Sequence, residues 1–170
     1  MHFDIAGDYQ VSVDQFWSAV FFQPEFNDYL HSDGLGFKGY EITAETVHTD
    51  GSRTRSLIAY PSTPIPRPLQ RVLGRSISYI EQGEFDPVRR CWITDVTVPS
   101  LGKRLSLKSE MSFRDTSPGQ SQRKVEFNIE ARILGVGRLI EKFVESALRE
   151  NYEAARVATN QWISDNLSGF

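Results

Sequence analysis

Few residues of this 170-residue chain are spaced for chemistry. The histidines, His2, His31 and His48, form no H-x-x-x-H or H-E-x-x-H pair, so no helix offers two imidazoles to a metal. The single cysteine, Cys91, excludes an intramolecular disulfide and a thiolate zinc cluster. There is no G-x-S-x-G elbow and no P-loop, and the glycine pair Gly135 and Gly137 lacks the third glycine of a dinucleotide site; it suits a tight strand-to-helix turn. His31, with Asp28 and Asp33 close by, is the least poor acid–base candidate, and a histidine in a polar turn is more often a solvated surface residue. Asp95 lies among apolar strand residues whose buried face the sequence leaves open. No catalytic residue, metal or cofactor is assigned.

Asn151 carries more information. On a helix at 100° per residue it falls in line with Ile140, Ala147, Ala154, Ala158 and Trp162, near the centre of an apolar arc. A buried amide without partners costs on the order of 1 to 3 kcal/mol, so Asn151 either anchors a ligand head group or bonds a strand side chain or buried water. Ala147, Ala154 and Ala158 are open in the same way: small residues let a helix approach a sheet closely, or they leave space. If space is left, Tyr60, Tyr79, Trp92, Met111, Phe113 and Phe127 are the large residues available to wall it, although each also reads as ordinary core.

A third feature is electrostatic. Residues 51–80 hold five arginines and no acid, a charge of +5 against −8 for the remainder. Four prolines between residues 61 and 68 extend the chain, and Pro68 and Gly74 bracket a helix of about two turns. That helix sets Arg67, Arg71 and Arg75 on one side and Leu69 and Leu73 on the other, a short basic amphipathic segment that must dock on the domain or on an anionic lipid surface. Nucleic acid is not expected, because the patch lacks interleaved aromatics and the net charge is −3.

These residues need elements to position them. Residues 134–165 contain no proline, and Val136, Leu139, Ile140, Phe143, Val144, Ala147, Leu148, Ala154, Ala155, Ala158 and Trp162 share one side opposite Arg138, Lys142, Glu145, Arg149, Glu153 and Arg156. So wide an apolar arc predicts a long helix lying in a concave sheet. Phe3, Ile5, Tyr9 and Val11 alternate with polar residues as a strand does; Ser12 and Gln15 form a capping box that opens one short helix, and a second follows Pro24. From 37 to 133 the pattern is strand and turn, with hairpins predicted about Asp50-Gly51 and Asp86-Pro87 and a final pair over 105–114 and 125–133.

The order of strand, two short helices, six antiparallel strands and long terminal helix resembles the helix-grip fold of the START-like and birch-pollen-allergen superfamily, SRPBCC. The segment ARILGVGRLIEKFVESALRENYEAARVATNQWI is similar to the closing segment of a bacterial branch of that superfamily. The resemblance implies an α+β domain over 1–170, with a curved antiparallel sheet of about seven strands gripping the C-terminal helix and a cavity between them. It further implies noncatalytic binding of a hydrophobic small molecule or lipid, with a cyclase or hydrolase enzyme, or an interaction module with a filled core, as the alternatives. With no apolar run of eighteen residues and no secretory signal in MHFDIAGDYQ, an intracellular, cytoplasmic protein is expected.

Overall fold

A computed structural model describes residues 1–167. Seven strands form one antiparallel sheet in the order β1-β7-β6-β5-β4-β3-β2: β1 His2–Tyr9, β2 Gly39–Val47, β3 Arg53–Tyr60, β4 Tyr79–Asp86, β5 Cys91–Thr97, β6 Leu105–Ser117 and β7 Gln120–Ala131. Strands β2 to β7 run as a meander, and β1 returns to pair with β7 from His2↔Asn128 to Tyr9↔Ser121. The last hairpin runs farther than its apolar alternation, turning only at Pro118-Gly119, because paired polar side chains on its wet end sustain the ladder.

Two short helical segments follow β1. The first, α1 Val13–Gln15, opens on the predicted capping box, Ser12 Oγ accepting from Gln15 N at 3.2 Å and Gln15 Oε1 accepting from Ser12 N at 3.3 Å. It widens into a π turn, Phe16–Phe21, which sets Phe16, Trp17 and Phe21 against one another at centroid distances of 5.2 to 5.9 Å. The second, α2 Pro24–Tyr29, starts on its proline and widens likewise over Leu30–Gly34. A single turn, α3 Gln70–Leu73, ends at Gly74, whose φ of 82° favours glycine.

The terminal helix, α4 Gly137–Leu167, begins three residues later than the sequence pattern, after a turn in which Gly135 has φ 81°. Its buried stripe is also displaced. Ile140, Val144, Leu148 and Tyr152 face the sheet and lead on to Ala155, Thr159 and Ile163, whereas Leu139 is 47% exposed and Ala154 is exposed. Steps of four drift around a 3.6-residue helix, and a twisted sheet is covered along such an oblique line. Residues assigned to the wet side therefore pack as well: the Arg149 guanidinium lies 4.9 Å from the Phe3 ring centroid, and Arg156 lies against Gly7 of β1.

Candidate functional site

Between the concave face of the sheet and the middle of α4 lies a cavity of about 250 Å³, so the interior is not filled. Strands β3 to β7 supply its floor, Phe143 to Thr159 of α4 its roof, and Phe26, Asn27, Leu30 and His31 one side. Leu35, Phe37, Pro61, Thr63 and Ile77 reach it from connecting segments, two of which are stitched together: Lys38 N donates to Tyr60 O at 2.8 Å and Ser62 Oγ to Gly36 O at 2.7 Å.

The predicted residues divide. Asn151, Ala147, Tyr79, Trp92, Met111 and Phe127 line the cavity, and the Asn151 amide bonds no other side chain among the described residues. The other five lie elsewhere. Tyr60 follows Ala59 by one residue and so points to the opposite face of β3, where it is 46% exposed. Phe113 faces inward, but Phe16, at 4.1 Å between centroids, fills that end of the sheet. Ala158 serves close approach rather than space, since a Cβ on Gly34 would come 2.8 Å from its own. Trp162 packs edge-on to Phe26 at 5.3 Å, and Ala154 faces solvent. Of the two dockings open to the amphipathic segment 67–75, its leucines take the domain: Leu69 and Leu73 are 1% and 3% exposed, in the core rather than at a membrane contact, while Arg67, Arg71 and Arg75 stay exposed.

His31 is not a surface residue. It is 8% exposed, stacks on Tyr40 at 4.1 Å and bonds Asn27 O through Nδ1 at 2.8 Å. A carbonyl only accepts, so Nδ1 carries the proton and Nε2 is the free base. Burial holds its pKa below the ordinary 6.5, outweighing the bond to Asn27, which acts the other way.

Sequence reasoning also missed the charges on the cavity wall. Arg55, one of the five basic-run arginines, is 6% exposed: it is in phase with Leu57 and Ala59 and therefore points inward from β3. Its guanidinium lies 4.9 Å from the Phe21 centroid and 5.0 Å from that of Trp92, and Nη1 donates to Asn27 Oδ1 at 3.3 Å. Arg123 repeats the pattern in phase with Val125 and Phe127, between the rings of Tyr9 and Tyr152 at 5.0 and 4.7 Å, Nη2 donating to Tyr152 O at 3.2 Å. The signal that could have found both was an arginine on the apolar phase of a period-two strand.

Glu81 supplies the carboxylate. Neighbouring Gly83 leaves room on the inner face of β4 for the Trp92 indole, which lies where a Cβ would be, and Trp92 Nε1 donates to Glu81 Oε1 at 3.4 Å. Burial raises the Glu81 pKa, against the pull of Arg55 and of the indole bond. Thr94 and Ser109 satisfy each other at 2.6 Å, leaving an apolar wall with a few convergent polar groups.

An antiparallel sheet gripping one long helix over an internal cavity is the helix-grip fold, the fold of the similar solved structures. The chain belongs to the family described as "Protein of unknown function (DUF2505)", whose model matches residues 4–163. No curated protein matches its sequence. Among solved structures it is similar to the Zhui aromatase/cyclase from Streptomyces sp. R1128, at TM-score 0.70 and 13% identity over 99% of this chain and 96% of that one. It is also similar to a START superfamily protein from Mycobacterium smegmatis, at TM-score 0.62 and 15% identity over 95% and 98%. A third is Ara h 8.0201, at TM-score 0.62 and 10% identity over 94% and 97%. Likeness at these identities is likeness of fold. Among the described residues no helix is long and apolar enough to cross a membrane.

Proposed function

We propose that this chain is a noncatalytic binder of a hydrophobic small molecule or lipid, held between the sheet and α4. The observation that carries this is the cavity itself, walled by side chains such as Leu57, Leu107, Met111, Phe127, Val144 and Leu148 and kept open where α4 presents Ala147 and Ala155. Apolar surface left unfilled in a core forfeits contacts that a ligand restores. Uptake of the neutral fluorophore N-phenyl-1-naphthylamine tests it: the unmodified protein is expected to take up about one molecule, and the double change Ala147→Leu and Ala155→Leu to weaken uptake about tenfold or more with the circular dichroism unchanged. No uptake by the unmodified protein disposes of the cavity reading.

A second reading, an enzyme of the cyclase or hydrolase kind, draws support from His31 on the helical side and Glu81 on the floor of the same cavity, a free base and a carboxyl of raised pKa. The molecule that copurifies under native conditions separates the two: a binder returns it unchanged after incubation, whereas an enzyme alters it and His31→Phe stops the alteration. Peripheral contact with an anionic membrane is a further part of the proposal. It is supported by the exposed Arg67, Arg71 and Arg75, none of which pairs with a carboxylate among the described residues, and it is electrostatic rather than insertional.

A further inference from the structure

The charges on the cavity wall do not balance. Arg55 and Arg123 both line it at 6% and 5% exposure, and among the described residues Glu81 is the only acid that lines it with them, Glu45 and Glu153 acting on Arg55 and Arg123 from outside the cavity. Neither arginine forms an ion pair among the described residues; all the pairs that do form lie outside the cavity, from Arg53–Glu45 to Arg156–Glu153. Both are short of partners: Arg55 has one hydrogen bond, to Asn27 Oδ1 at 3.3 Å, and Arg123 has one, to Tyr152 O at 3.2 Å, while each otherwise meets two aromatic faces and the buried Nε of each meets no acceptor. Burial also holds the Arg55 pKa below its ordinary value. A guanidinium withdrawn from water and left with open donors is a standing cost, unless an acceptor arrives with the ligand.

We propose that the cavity takes a hydrophobic monocarboxylate, its carboxylate seated on Arg55 and its hydrocarbon lying along α4 between Val144 and Leu148; this rests on the cavity being a binding site. The guanidinium fork matches a carboxylate in shape and charge. One surplus positive charge suits a single negative one, whereas a dianion such as a phosphate monoester would bring surplus negative charge beside Glu81. Tyr79 and Tyr152, held un-ionised by burial, add hydroxyl groups without adding charge.

Titration calorimetry on the full chain near neutral pH, with decanoate, 1-decanol and methyl decanoate each below its solubility limit, tests this. All three are expected to bind, decanoate about tenfold or more tightly than either neutral analogue. Arg55→Met is expected to remove that preference by weakening decanoate alone. Equal affinities in the unmodified protein overturn the carboxylate seat and leave the cavity reading standing. A preference that survives Arg55→Met overturns the assignment to Arg55. Binding by none of the three overturns the cavity reading and this one with it. The charged and neutral ligands are compared on the unmodified chain, so the test holds even if the variant does not fold.

Discussion

Gly83 controls more of the site than its missing side chain suggests. Because Trp92 occupies the space beside it, one absent carbon fixes the indole plane, and the indole in turn meets Glu81 and the face of Arg55. Gly83→Ala forces the ring away. We expect a loss of about 1–3 kcal/mol in urea unfolding, the range for overpacking a tight interior, together with weaker ligand uptake. A variant as stable as the parent would show that the indole relocates freely. At this scale the sequence was legible only in part. Trp92, Tyr79, Met111 and Phe127 stood out by size and phase, while Arg55 and Arg123 were hidden by composition, since an arginine inside a basic run looks solvated until its neighbours Leu57 and Ala59 fix the face it shares.

Among the elements, the turn at residues 67–73 shows how a surface pattern can conceal a core anchor. Its arginines and leucines separate as a membrane-seeking segment would have them, yet the leucines face the protein. Leu69→Ala and Leu73→Ala should each cost about 2–5 kcal/mol in denaturant unfolding, as large-to-small changes in a core do. Charge reversal at Arg67, Arg71 and Arg75 should leave stability within about 0.5 kcal/mol and reduce cosedimentation with phosphatidylserine vesicles. Vesicle binding that is absent from the parent, or unmoved by the three reversals, removes the membrane proposal. The long helix was legible in extent and kind, because periodicity survives any rotation about the axis. Its facing residues were less so: a straight helical wheel assumes a flat partner, and the oblique stripe through Val144, Leu148 and Ala155 moved Leu139 and Ala154 off the sheet.

For the whole molecule, the buried wall groups tie stability to pH. His31 titrates lower in the folded state than its ordinary 6.5, so below that value the unfolded chain binds the extra proton and stability falls until the folded pKa is reached. Glu81 works the other way, its raised folded pKa costing stability as pH rises from 4.5. His31→Phe keeps the stack on Tyr40 and removes only the first effect; between pH 7 and 5 the melting temperature of the parent should fall more than that of the variant. Parallel profiles would place the His31 pKa at its ordinary value. The architecture was legible from element order, because a one-faced antiparallel meander must be covered and only one element was long enough. Whether its middle was open was not, since a cavity is a difference between volumes set by every wall at once. The indole held against Gly83 has a last consequence. Of the three tryptophans, Trp17 and Trp162 pack behind rings that line the cavity, and Trp92 alone forms part of its wall. The protein thus carries its own reporter, and a change in emission colour on mixing with an optically silent compound would signal occupancy without any label.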